Sequence, residues 1–118
     1  MPLTTPIFQI LLSLIDNDAH GYALIQDIRK RTDGEVSLTA STLYAAVKRL
    51  VDSKWIEELA ESPRGEGDDP RRRYYSITAT GRTAARLEAE RLERATSMAR
   101  DRRLLAPLHA APAGKGPS

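Results

Sequence analysis

The side chains best equipped for chemistry are hydroxyls and cations gathered in two stretches. Thr39, Ser41, Thr42 and Tyr44 carry hydroxyls and are followed by Lys48 and Arg49. Hydroxyls and cations of this kind bond phosphate oxygens or base edges. Arg71, Arg72 and Arg73 form the second stretch, with Arg64 a few residues upstream. These residue types suit a polyanion better than they suit catalysis. There is no cysteine, so neither a disulfide framework nor a Cys-based zinc site is available. The two histidines, His20 and His109, lie far apart and share no ligand spacing. No Ser/His/Asp or Cys/His constellation and no glycine-rich phosphate loop is present. The reading is that of a non-enzyme with no metal and no cofactor.

Elements must hold these groups in place. Leu43, Ala46, Val47 and Leu50 recur at helical spacing, so a helix from about Thr39 turns Ser41, Thr42, Ala45, Lys48 and Arg49 outward. Its N-terminal residues Thr39, Ser41, Thr42 and Tyr44 would lie closest to a DNA groove, with Lys48 and Arg49 on the backbone. Tyr44 has a second reading, as an anchor within the core. A strand is expected over Trp55–Leu59, with Trp55 read as packing and, alternatively, as a stacking surface for a ligand. The connection 62–70 holds two prolines and two glycines, which predicts a mobile loop and not a tight hairpin turn. A second strand is expected over 71–78. Strand neighbours alternate faces, so Arg71 and Arg73 would share a side with Tyr75 and Ile77, leaving Arg72 better placed for DNA. Glu66, Asp68 and Asp69 would repel phosphate at the tip.

Two more helices precede these elements. Thr5-Pro6 suits a helix start, with Ile7, Ile10, Leu11, Leu14 and Ile15 behind it and Asp16-Asn17-Asp18 as its end. His20-Gly21-Tyr22 opens the next, with Leu24, Ile25 and Ile28 inward and Arg29-Lys30-Arg31 in its last turn, where cations suit the helix dipole. Tyr22 is read either as core or as a phosphate contact. After Thr78 a long helix rich in Ala, Leu, Glu and Arg is expected over 79–105. The fold class is therefore mainly α with a small two-stranded β-wing: a winged helix-turn-helix over 1–78, a long C-terminal helix over 79–105, and a disordered tail over 106–118.

The segment from Ile7 to Gly81 resembles the PadR family of bacterial transcriptional repressors. The resemblance rests on His20-Gly21-Tyr22-Ala23-Leu24, on Ser41-Thr42-Leu43-Tyr44 with Lys48-Arg49-Leu50, and on Arg72-Arg73-Tyr74-Tyr75-Ser76-Ile77-Thr78 followed by Gly81. It implies a recognition helix, a wing, and dimerisation through a single C-terminal helix. One departure is Lys54, where the family usually has glycine as a left-handed cap.

Ala84, Leu87, Leu92, Ala95, Met98 and Ala99 form a thin apolar seam on the charged fourth helix. A symmetry mate would cover it, with Phe8 and Leu12 of the first helix as further contacts. The partners expected are a double-stranded, pseudo-palindromic operator, a second copy of the chain, and a small-molecule effector of unknown site. Rival readings are a winged-helix protein-interaction module and a small-molecule receptor. Net charge is +2, but residues 1–61 carry six Lys/Arg against nine Asp/Glu, and residues 62–118 carry twelve against seven. This places a basic excess from the wing onward. No apolar run is long enough to span a membrane, and the N-terminus lacks signal-peptide features, so a cytoplasmic location is expected.

Overall fold

The computed structural model describes residues 3–108. His109 and the remainder of the expected tail lie outside the described residues. The elements run α1 (Thr5–Asp16), β1 (Ala19–His20), α2 (Gly21–Arg31), α3 (Ala40–Asp52), β2 (Ile56–Glu58), β3 (Tyr74–Ile77) and α4 (Ala79–Asp101). The chain forms two compact units that meet in sequence at Arg86 and Leu87.

The first unit is built on the apolar stripes of its helices. Ile7, Ile10, Leu11 and Leu14 of α1 are buried, with Leu24 and Ile28 of α2 and Leu43, Ala46, Val47 and Leu50 of α3. Ile56, Tyr75, Ile77 and Ala85 complete one cluster with them. Full burial of an aliphatic side chain contributes about 1.5–3 kcal/mol, so this cluster is what holds the outward faces still. Arg31 ties α2 to α1. Its guanidinium donates to the Gln9 side chain at 2.9 Å, the Gln9 carbonyl at 3.0 Å, Ser13 at 2.7 Å and Asp27 at 2.9 Å. The Ser13 hydroxyl and Arg31 hold the Asp27 carboxyl below the usual carboxylate range.

Helix starts follow capping chemistry. Thr4, one residue earlier than expected, is the N-cap of α1, with no side-chain cap bond and Pro6 in the first turn. The Thr39 hydroxyl accepts the Thr42 N–H at 3.1 Å. The Thr78 hydroxyl accepts the Gly81 N–H at 3.0 Å and donates toward the Lys54 carbonyl at 2.7 Å. A side chain at Gly81 would run into the Trp55 carbonyl, so only glycine lets α4 start this close to the wing.

α1 ends in extended backbone at Asn17, whereas the other three helices share one device. α3 closes with Trp55 N–H on Leu50 C=O and Lys54 N–H on Val51 C=O, both at 3.0 Å. This is the paired closure in which the residue past the helix turns left-handed. Lys54 does so at φ 63°, and Asp33 after α2 does so at φ 52°. Lys54 thus adopts the glycine conformation without being glycine.

The sheet has three antiparallel strands in the order β1-β3-β2, not two. Ala19 faces Tyr75 and His20 faces Tyr74; Ile56 faces Ile77 and Glu58 faces Tyr75. Two residues are too few for β1 to show a period in sequence. β3 begins at Tyr74 and not at Arg71, because Arg72 N–H turns back to the Asp69 carbonyl at 3.1 Å.

The second unit contains the rest of α4. Its surface carries exposed Leu87, Leu92 and Met98, and Glu88 bonds Arg91. The helix stops at Asp101, short of the expected 105, where Arg103 turns left-handed at φ 65°.

Candidate nucleic-acid interface

Every hydroxyl and cation that the sequence placed on the outer side of α3 is exposed: Thr39, Ser41, Thr42, Tyr44, Lys48 and Arg49. Thr39 also has a structural task as the cap, and its hydroxyl donates to the Thr42 hydroxyl at 3.0 Å. Lys48 has one loose partner, Asp52 at 3.4 Å, with both side chains largely exposed. Arg49 makes no ion pair among the described residues. Tyr44 is neither fully packed nor fully exposed. Its ring covers Gly21, where any side chain would collide with it, while 48% of the residue stays exposed. Gly21 therefore leaves the space that the Tyr44 ring occupies. Tyr22 is not core: it is 62% exposed and its hydroxyl accepts from Gln26 at 3.1 Å. Trp55 is partly buried against the core.

The wing is organised differently. Arg71 pairs with Asp69 at 3.3 Å, Arg72 with Asp68 at 3.0 Å, and Arg73 with Glu58 at 2.8 Å. Asp69 raises Arg71 and Glu58 raises Arg73 above the usual value, Tyr74 first and then Asp68 do so for Arg72, and Asp69 is held low by Arg71. The alternation expected along a strand through Arg71–Arg73 does not apply, since these residues precede β3. Arg71 and Arg73 have the more open side chains, 90% and 70% exposed, and Arg72 the least open at 39%. Arg64 is exposed and makes no ion pair among the described residues. From Glu58 to Arg73 four arginines meet five carboxylates, so the wing is not a net basic element. The basic excess of the C-terminal half lies beyond it, where residues 82–118 hold eight Lys/Arg against four Asp/Glu.

Asp68 stands apart from the other acids. Its carboxylate is only 4% exposed, and the Ser62 hydroxyl donates to it at 2.7 Å. Ser62 first, then Tyr74 and Arg72, hold its carboxyl far below the usual range. The Tyr74 hydroxyl is buried beside this group without a well-formed hydrogen bond of its own. The Tyr74 ring meets the His20 ring edge-on at 5.2 Å. His20 caps α2, its Nδ1 accepting the Ala23 N–H at 3.2 Å. Burial and the nearby Arg72 push its pKa down. Sequence reasoning saw the wing acids only as repulsion. The i,i+4 spacing of Asp68 and Arg72 was a visible signal of pairing; the Glu58–Arg73 pair needed the strand register.

Three helices, a recognition-type third helix and a wing folded against it define a winged helix-turn-helix regulator. The sequence matches the transcriptional regulator PadR-like family over residues 10–87. The chain belongs to that family. A protein of Lysinibacillus sphaericus is 34% identical over 74 residues, 62% of this chain and 64% of that protein, just under two thirds of the relative's length. Among solved structures, a transcriptional regulator from Clostridium thermocellum is 28% identical with a TM-score of 0.68, covering 81% of this chain and 87% of that one. Bacillus subtilis PadR in complex with operator DNA is 20% identical with a TM-score of 0.61, covering 72% of this chain and 46% of that one. This last is a likeness of fold. Among the described residues, no helix is long and apolar enough to cross a membrane.

Proposed function

We propose that the chain is a DNA-binding repressor that acts in the cytoplasm as a homodimer on a pseudo-palindromic operator. The observation that carries this reading is the α3 face. Six hydroxyl-bearing or cationic side chains project from one capped, core-anchored helix, and among the described residues the only acid paired to any of them is Asp52. Such a face suits a major groove, with the helix N-terminus nearest the bases. Family membership and the operator complex of the Bacillus subtilis relative support it.

Dimerisation rests on separate observations in the two units. Leu87, Leu92 and Met98 are exposed on α4, with Ala95 exposed and Ala84 and Ala99 half-buried. On α1, Leu12 is exposed and Phe8 half-buried. Exposed large apolar side chains in series mark a surface that a partner covers. Two heads joined by their C-terminal helices bind half-sites spaced by whole helical turns. A small-molecule effector that altered the spacing would release the operator, because joint binding fails when geometry fails.

The test is a mobility-shift titration on DNA from upstream of the coding region, at two salt concentrations, beside a scrambled competitor. A specific shift of dimer stoichiometry that weakens steeply with salt is the expected result. A shift that scrambled DNA competes equally, or one indifferent to salt, would remove the operator-binding reading.

A further inference from the structure

An acid in an element meant to approach DNA is a liability, and most wing acids minimise it by staying hydrated on the surface. Asp68 does the opposite. Its carboxylate is nearly inaccessible, and a buried charge is costly unless it is paired and bonded. The wing supplies those bonds from both ends of its loop. Ser62, at the entrance, donates its hydroxyl at 2.7 Å; Arg72, at the exit, donates from its guanidinium at 3.0 Å. The Ser62 oxygen simultaneously accepts the Arg64 N–H at 3.1 Å. Between these points the chain makes a turn, Gly65 N–H to Ser62 C=O at 3.1 Å, and a short 3-10 turn over Gly65–Gly67 that ends with Asp68 N–H on Gly65 C=O at 3.2 Å. A further turn joins Asp69 to Arg72. A segment with two glycines has much conformational freedom to lose on ordering. The one carboxylate that touches both ends is placed to offset that loss.

We propose that Asp68 is a positioning residue for DNA binding, whose buried carboxylate closes the wing on Ser62 and Arg72 and so holds Arg64 and Arg71 outward. This rests on the DNA-binding reading above and deepens it. Arg72, the arginine that sequence alternation favours for DNA, serves the latch. With Arg72 so engaged and Arg73 paired with Glu58 across the strands, the outward cations of the loop itself are Arg64, which has no ion-pair partner among the described residues, and Arg71, whose pair with Asp69 is open to solvent. The depressed carboxyl of Asp68 agrees with a group kept charged in the folded wing.

The experiment compares the full chain with Asp68→Asn, which keeps the shape and removes the charge, and with Ser62→Ala, which breaks the latch from the loop entrance. Limited trypsin digestion reads the loop through cleavage after Arg64 and Arg71, and DNA titration over a range of salt reads the interface. Both variants are expected to be cut about tenfold faster under native conditions, as local opening without global unfolding allows. Both are also expected to bind operator about tenfold more weakly, with a salt slope shallower by about one phosphate contact. If Asp68 were only a repulsive acid, Asp68→Asn would bind DNA more tightly, and that result overturns the proposal. Unchanged cleavage in both variants overturns it as well. Faster cleavage together with a wild-type chain that shifts no DNA overturns the DNA-binding reading and leaves the latch standing.

Discussion

The outward face of α3 and the wing carry the same kinds of side chain, yet they keep their charges in different ways. On α3 the hydroxyls and cations are exposed, and among the described residues the one ion pair they make is Lys48 with Asp52, at 3.4 Å. On the wing each of Arg71, Arg72 and Arg73 already holds a carboxylate. A phosphate arriving at α3 meets Arg49 without an acid partner among the described residues and Lys48 with a loose one; at Arg71 or Arg73 of the wing it must displace Asp69 or Glu58, which leaves Arg64 as the unpaired wing arginine among the described residues. Exposed ion pairs of this type are weak, so exchange is feasible, but it leaves an acid beside the DNA. On the DNA-binding reading proposed above, α3 would read sequence and carry most of the affinity, with the wing a moderated second contact.

The largest effect should come from breaking the α3 side. Reversing both cations with Lys48→Glu and Arg49→Glu should weaken operator binding about a hundredfold or more, since two phosphate attractions become repulsions. The melting temperature should stay nearly constant, because both side chains are exposed. Titration of the variant beside a thermal melt checks this; retained affinity would move the main contact elsewhere.

Sharpening the wing side should give a smaller effect of opposite sign. Asp69→Asn or Glu58→Gln frees Arg71 or Arg73, and affinity at low salt should rise by roughly threefold to tenfold. The gain should appear on scrambled DNA as well as operator, since phosphate contacts carry no sequence information. Binding isotherms on both DNAs would show whether the ratio of affinities narrows as expected.

How much of this contrast was legible in the sequence depends on the range of the forces involved. The α3 face was legible because a helix has one period, and Leu43, Ala46, Val47 and Leu50 fix which side is inward. Thr39 as a start signal was readable for the same local reason. Lys54 was flagged as standing where a glycine is usual, and its positive φ shows that tertiary packing imposes the left-handed turn regardless. The wing was read less well. Arg71–Arg73 suggested a strand by continuity with Tyr74–Ile77, but neighbouring Asp68 and Asp69 draw the chain into a turn instead. β1 escaped notice because Ala19 and His20 are strand only by virtue of pairing with β3. Tyr74 also breaks the expected alternation, being buried like Tyr75 because His20 covers it.

Two smaller effects separate scaffold from interface. Lys54→Gly should raise stability by about 0.5–1 kcal/mol, since glycine adopts a positive φ without the steric penalty of a side chain. Operator affinity should change little. Denaturant unfolding at constant slope is the check, and a loss of stability would mean that Lys54 has a contact role.

His20 gives the mildest effect. Burial and the nearby Arg72 hold its folded pKa below the ordinary imidazole value of 6.5, so the unfolded chain binds protons more readily. Stability from this group is present above pH 6.5 and is lost as pH falls through the lowered folded value. Protonation at Nδ1 would also remove the cap on Ala23. His20→Asn keeps a capping oxygen and should flatten the pH dependence of the melting temperature below 6.5; an unaltered profile would assign that dependence to another group.

The central claim is that α3 reads sequence, and the most direct measurement removes its reading groups while leaving its charge. Ser41→Ala with Thr42→Val deletes two exposed hydroxyls and keeps Lys48 and Arg49. Affinities for operator and for scrambled DNA are measured side by side at one salt concentration. The account predicts that operator affinity falls toward the scrambled value while scrambled affinity holds. Operator affinity that survives intact would contradict it and shift sequence recognition away from α3.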